Sequence, residues 1–312
     1  MHTYEEVAQT LEVKSEDIEK ESTKTFLELK LRNIEAEIFK IARKYGITCI
    51  EELDEKLKKG KVSEEEVLDD FMELDYYEAK KDKMLRASSM NVNNKVLDLW
   101  SKYPNQYIPI LYNKLKQNCL LFVGLNPSDN KKIPEELGIN LIWKNREQID
   151  IEKLLEEPLV AKEGYPYFKR FKEIADEAGE HWEHIDLFFN RTSKQKECKE
   201  VIYEKDEKLS DFAKKQLELS LELIKLANPK ITVVANAFAS DLLNKEEVKE
   251  KFNYAIKFDN NCGFGTICFE GEKEIPIFFS SILTGRRPLD KHSLKRLKWH
   301  IKKALASRFV RI

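Results

Sequence analysis

The feature that most constrains this chain is the run Leu120-Leu121-Phe122-Val123-Gly124-Leu125-Asn126-Pro127-Ser128. An apolar segment of strand length that stops in Gly-x-Asn-Pro predicts a strand buried on both faces, as in a parallel sheet. Gly124 permits a sharp turn or the close approach of a ligand, and Pro127 stiffens the exit. Open α/β sheets bind ligands just beyond the carboxyl ends of their strands, so Asn126 is presented where chemistry is usually done. An ordinary strand-to-loop turn accounts for these residues equally well when they are taken alone.

Three further segments share this build: His184–Arg191, Ile231–Asn236 and Ile275–Ser281. Short apolar runs at Tyr254–Phe258 and Thr266–Phe269 flank a Gly-rich turn at Cys262-Gly263-Phe264-Gly265. Amphipathic helical patterns alternate with them, at Tyr167–Ala178, Leu209–Ala227, Phe238–Leu243 and Leu289–Leu305. Alternating strands and helices predict a three-layer α/β/α sandwich with a mostly parallel sheet.

The order of these pieces resembles the uracil-DNA glycosylase superfamily over roughly residues 119–306. Gly124-Leu125-Asn126-Pro127-Ser128 is similar to the family's water-positioning loop in its Asn-bearing branch, which includes the mismatch-specific thymine/uracil glycosylases. Asp186-Leu187-Phe188-Phe189-Asn190-Arg191 stands where the family carries a base-reading residue and then a basic one. Pro229–Phe238 matches a third strand that ends in a small residue and opens a helix. Ser280–Pro288 occupies the place of the phosphate-clamping, base-stabilising loop. The resemblance implies hydrolysis of the N-glycosidic bond of a flipped, damaged or mismatched base, with DNA as partner and no cofactor. It makes Asn126 and Arg286 catalytic. Gly124, Leu125, Pro127, Tyr167, Phe168, Asp186 and Asn190 would meet the base, and Ser128, Arg191, Ser281, Gly285, Arg287 and His292 the DNA phosphates.

Two departures from the family pattern bear on chemistry. The last motif of the family carries a His followed by Pro-Ser-Pro, whereas this chain reads Ser280-Ser281-Ile282-Leu283-Thr284-Gly285-Arg286-Arg287-Pro288. Arg286, Arg287 or His292 would have to assist the leaving base instead. The base-reading position holds Asp186 where Asn is common. An ionised Asp186 only accepts hydrogen bonds and would repel the O4 of uracil.

Charge divides the chain. Residues 1–89 hold 23 acidic and 16 basic side chains, a net of −7, and residues 90–312 hold 33 and 38, a net of +5. All nine prolines lie at Pro104 or later. The stretch Ala87–Asn94, small and polar, reads as a linker between an acidic segment and a Pro-punctuated α/β domain. Met90 after Ser88-Ser89 also fits the start of a separate protein, which would make the chain a fusion.

The acidic segment reads as an all-α helical hairpin. A long helix begins at Ser15, carries Leu27, Leu31, Ile34, Ile38 and Ile41 on one side, and stops at Gly46. A short helix follows at Ile50–Lys59, and Ser63-Glu64-Glu65-Glu66 caps another with Val67, Phe71 and Leu74 on its apolar face. The hairpin resembles small helical-hairpin proteins of unknown role. Two helices bury little surface alone, so the expected partners are a second copy, another protein or the following domain.

No apolar stretch reaches membrane-spanning length, and the start of the chain is unlike a signal peptide. Five cysteines without paired short spacings suit free thiols and supply neither a disulfide framework nor iron–sulfur or zinc ligands. The expectation is a soluble protein of the reducing cytoplasm, with no membrane partner. His181 and His184 flank Trp182-Glu183 without a third ligand at a recognisable spacing, so a metal pair is disfavoured. No Walker loop, dinucleotide fingerprint or nucleophile elbow is present.

Residues 285–312 hold ten basic side chains against one acid, Asp290. Such clusters bind phosphates, although a solvated basic helix face has the same composition. Two readings of function follow: a base-excision glycosylase, or a non-catalytic module of the same fold that binds nucleic acid or nucleotide, with the hairpin recruiting a protein partner. If Arg286 and Arg287 clamp the DNA backbone, replacing both with Ala should flatten the log–log dependence of affinity on salt by roughly one to two units, since each lost phosphate contact removes about 0.9. Binding titrations from low to high salt measure this, and an unchanged slope with a lower melting temperature would make the arginines structural.

Overall fold

The structure, a computed structural model, describes residues 4–103, 106–206, 208–271, 273–285 and 287–306. Arg286, Arg308 and Arg311 of the basic cluster therefore lie outside the described residues. The chain divides into two compact units, Met1–Met90 and Asn91–Ile312.

The first unit is helical: α1 spans Tyr4–Leu11, α2 Ser15–Tyr45 and α3 Ile50–Lys58. Helix α2 ends where Gly46 takes a left-handed φ of 59°, which lets the Ile47 N–H bond back to the Ala42 carbonyl at 3.0 Å. Helix α4 begins at Glu64, just after Ser63, whose N–H donates to the Glu66 carboxylate at 3.5 Å as one half of a capping box. Lys44 and Tyr45 both meet Asp70, and Lys81 meets Glu35, so α2 and the start of α4 run antiparallel. Ile41, Leu53, Val67 and Leu74 fill the space between them.

Helix α4 runs from Glu64 to Lys102, straight through the stretch 87–94 that reads as a linker. This corrects the sequence expectation. Ser and Asn are weak helix formers, but that stretch holds neither Gly nor Pro to break the helix. Asn93 is instead buried and exchanges two hydrogen bonds with the backbone of Tyr112, at 2.8 and 3.2 Å.

The second unit holds a six-stranded sheet. Strand β1 (Leu120–Gly124) leads through α5 (Lys132–Glu136), α6 (Ile151–Gly164) and α7 (Lys169–Ala178) to β2 (Trp182–Asp186). Next come α8 (Gln195–Ile202), α9 (Asp211–Ala227), β3 (Ile231–Val234), α10 (Ala237–Asn244) and α11 (Glu246–Lys251). The chain continues with β4 (Tyr254–Asp259), β5 (Phe264–Phe269), β6 (Ile275–Phe279) and α12 (Lys291–Ala306). The order across the sheet is β2-β1-β3-β6-β5-β4. Strands β2, β1, β3 and β6 are parallel, and β5 is antiparallel to both of its neighbours. The fold is thus mixed α/β with a mostly parallel sheet.

Period-two alternation divides the buried side chains of β1 between two apolar clusters. Leu121 and Val123 pack with residues of α9, and Leu120 and Phe122 with residues of α7 and α12. Four helices escaped the sequence pattern: α5, α6, α8 and α11. Pro158 inside α6 obscures the helical signal there.

Phe122 is fully buried, with its ring 4.8 Å from Phe171 and 6.1 Å from Trp182. Replacing it with Ala should destabilise the sheet unit by about 3–5 kcal/mol. Denaturant unfolding followed by tryptophan fluorescence measures this, and a loss below about 1 kcal/mol would mean that the site collapses to refill the space.

Candidate active site at the carboxyl end of the sheet

Strand β1 lies between β2 and β3, so the chain crosses β1 on its way from one neighbour to the other. Connections from adjacent β1 and β3 leave in opposite directions, which opens a crevice at their carboxyl ends. A cavity of about 400 Å³ occupies this place, within the usual range for small-molecule sites. Leu125, Asn126, Pro127 and Ser128 line it from the loop after β1, His184 and Asp186 from β2, and Asn236 from the end of β3. Tyr167 and Phe168 enter from a 3₁₀ turn before α7.

The loop after β1 holds Asn126 in one orientation. Its Nδ2 donates to the carbonyls of Pro127 at 2.9 Å, Thr192 at 2.8 Å and Asn190 at 3.4 Å. A reversed amide would turn its oxygen against three carbonyl oxygens, so the network decides the orientation. Among the described residues no donor engages Oδ1, which leaves that oxygen free to accept.

Asp186 ends β2 directly opposite Gly124 in the β1–β2 register. A Cβ on Gly124 would lie 2.2 Å from Asp186 Oδ1 and 3.0 Å from His184 Nε2. The close approach that Gly124 permits is therefore that of the Asp186 carboxyl and not of a ligand. Tyr112 clamps the residue from the other side: its hydroxyl accepts from the Asp186 N–H at 2.8 Å and donates to Oδ2 at 3.3 Å. Oδ1 keeps no hydrogen-bond partner among the described residues. Burial raises the Asp186 carboxyl to about 7, against the pull of the Tyr112 hydroxyl and the Arg191 charge. Below that value the carboxyl is protonated and can donate as well as accept, so the repulsion of an ionised Asp186 toward a base carbonyl applies only above it.

His184 is buried, with Nε2 unpartnered and 3.9 Å from Asp186 Oδ1. Its ring stands edge-to-face against Phe168 at 5.0 Å and Phe171 at 5.6 Å. Burial, assisted by the Lys162 charge, lowers it to about 3, so it is a neutral imidazole. Lys162 itself is tied to Glu183 at 2.6 Å and lies over the Trp182 ring.

Two expected site residues serve the protein's own framework. The buried Arg191 guanidinium forms a bidentate pair with Glu157 of α6 at 2.7 Å for both bonds, and its Nε donates to the Ile108 carbonyl at 3.0 Å. It fixes the cavity wall and is not a free phosphate clamp. Asn190 does not line the cavity. Its side chain bonds Cys198, its backbone carbonyl supports Asn126, and its buried Oδ1 has no partner.

The loop between β6 and α12 meets the cavity through Ile282. Arg170 organises this loop by donating to the carbonyls of Leu283 and Leu289, both at 2.8 Å. Ser281, Gly285, Arg287 and His292 are exposed and do not line the cavity. On α12, Lys298 and Lys302 both pair with Glu177, so part of the basic row is balanced within the protein. Asp290 caps this helix by accepting the N–H groups of His292 and Ser293.

Sequence reasoning missed Tyr112, Glu157, Lys162, Arg170 and Asn236. Only Asn236 carried a local signal, as the N-cap of α10, where its side chain accepts from the Ala239 N–H at 3.1 Å. Among the described residues no group of three or more His, Cys, Asp or Glu could hold a metal ion, and no helix is long and apolar enough to cross a membrane.

Residues 1–96 match the family model described as "Uncharacterized protein MJ0235 family". The match ends before β1, so it bears on the helical unit and leaves the cavity unassigned. No curated protein matches the chain.

The buried Asp186 gives stability a pH dependence with a definite sign. Its folded value, about 7, lies above the ordinary 3.8, so its contribution is complete below pH 4 and is lost as pH rises through 7. His184, lowered from 6.5 to about 3, acts oppositely: its contribution is complete above pH 6.5 and is lost as pH falls through 3. The melting temperature of Asp186→Asn minus that of the unaltered protein should therefore climb between pH 4 and 7 and level off above. A difference that stays constant across thermal melts at pH 4–8 would mean that the carboxyl is not desolvated.

Proposed function

We propose that the second unit is a glycosylase-like α/β/α domain that hydrolyses the N-glycosidic bond of a flipped, keto-bearing base. The observation that carries this reading is the fixed amide of Asn126. With Nδ2 held by three carbonyls and Oδ1 unbonded, the side chain can accept one hydrogen from a water molecule and aim its oxygen at C1′. Positioning of this kind reduces the entropic part of the barrier without strong base activation. A slow enzyme is therefore expected, because an amide oxygen is a weak base.

The remaining cavity wall suits a base removed from its stack. Tyr167 and Phe168 supply aromatic surface beside the polar groups of β2, an arrangement that flipped bases use. The protonated Asp186 carboxyl offers a donor to a base carbonyl, which removes the repulsion that an ionised Asp would impose. The departing base develops negative charge, and the neutral His184 neither adds to that charge nor opposes it.

The test uses single- and double-stranded oligonucleotides carrying uracil, hypoxanthine, xanthine or a G·T or G·U mismatch, followed by alkaline cleavage at abasic sites. The unaltered protein should release at least one base, and Asn126→Ala should lower that rate by about 10²-fold or more if water positioning is its role. Salt-sensitive binding without release by the unaltered protein would instead make the domain a non-catalytic nucleic-acid module.

A further inference from the structure

The cavity holds one carboxyl that is not committed to a cation of the protein and keeps one oxygen without a hydrogen-bond partner among the described residues. Glu157 is committed to Arg191 through two bonds, and Lys162 to Glu183. Tyr165 receives a hydrogen bond from the Asn130 side chain. Among the described lining residues, Asp186 is the carboxyl with no cation in direct contact, and its Oδ1 has no hydrogen-bond partner. It shares this wall with Asn126, whose loop is anchored to the same β1–β2 edge by the Leu187 N–H to Gly124 carbonyl bond at 3.1 Å.

We propose that Asp186 is the general acid of the site and delivers the proton that the departing base requires. This rests on the hydrolytic reading above. Water, oriented by Asn126, forms the bond from its oxygen to C1′ while the C1′–N bond breaks. The bonding electron pair leaves with the base and places negative charge on its ring carbonyl. The Asp186 carboxyl proton moves to that oxygen, the proton lost by the attacking water goes to solvent, and solvent reprotonates the carboxylate for the next cycle. Atoms balance as a hydrolysis with no added reactant.

The geometry prepares this role in two ways. Gly124 leaves room for the carboxyl over β1, where any side chain would displace Oδ1. The Tyr112 hydroxyl takes the Asp186 N–H and gives its proton to Oδ2, so Oδ1 is the oxygen left to carry the transferable proton. Tyr112 is thus a positioning residue, itself fixed by Asn93.

The groups that face Asp186 hold their charge across the working range. Tyr112 from the segment before β1 and Tyr167 from the 3₁₀ turn are both raised by burial, and Cys198 of α8 is pushed up to about 12. His184, on β2 itself, is held neutral, and the Arg191 guanidinium is paired with the Glu157 carboxylate. Asp186 is left as the group in this cluster that changes charge between pH 5 and 9.

Single-turnover base release measured from pH 5 to 9 tests the assignment. The rate should be level below about pH 7 and fall tenfold per unit above it. Asp186→Asn should lose 10²- to 10⁴-fold at pH 6 and show a flat profile, the range typical of a removed general acid. Tyr112→Phe should move the alkaline limb to higher pH, because the lost hydrogen bond favours the carboxylate, whereas a purely structural Asp186 would leave the limb in place. Release that requires Asn126 but runs level from pH 6 to 9 in the unaltered protein overturns the acid role and spares the hydrolytic reading. Absence of release at every pH from all of the modified oligonucleotides overturns both.

Discussion

The packing of the Asp186 carboxyl over Gly124 is the interaction on which the site depends. A charged or ionisable group at the end of a buried strand is stable only where its desolvation is offset by placed hydrogen bonds. Here the neighbouring strand supplies space, by carrying Gly124 at the paired position, and Tyr112 supplies both a donor and an acceptor. Burial in that position raises the carboxyl toward neutral pH, unlike the exposed carboxylates of the surface.

Around that pair the cavity is assembled from segments far apart in sequence. The Arg191–Glu157 ion pair joins the loop after β2 to α6, and the Nε of Arg191 also secures the segment before β1 through Ile108. Removing either partner would leave a buried charge without compensation, a costly state. The Asn126 amide couples the loop after β1 to that after β2 through Asn190 and Thr192. Arg170 of α7 performs the equivalent task for the loop before α12. Framework cations thus occupy places where a sequence reading expects ligand-binding ones.

The helical unit obeys simpler rules. Its boundaries follow from local signals: Gly46 as a left-handed terminator, Ser63 and Glu66 at a helix start, and apolar residues at three- and four-residue spacing. Where such signals were absent, between residues 87 and 94, α4 continued. Small polar residues lower helix propensity by only a few tenths of a kcal/mol each, too little to end a helix already propagating.

The sequence by itself determined the elements whose patterns are local. The strands at Leu120, Ile231 and Ile275, the helices at Asp211 and Lys291, and the placement of Asn126 beyond a strand end all follow from runs of apolar residues and the turns that close them. It also marked Tyr167, Phe168 and Asp186, three residues that line the cavity. Only the tertiary structure decided what those groups are. The protonation of Asp186 depends on burial by chain segments up to about 74 positions away, since Tyr112 and Asp186 are that far apart. The duty of Gly124 depends on which strand lies beside it, and the duty of Arg191 on Glu157 reaching it from a helix that Pro158 obscures. Desolvation and pairing are properties of neighbours in space, and one-dimensional spacing carries no record of them.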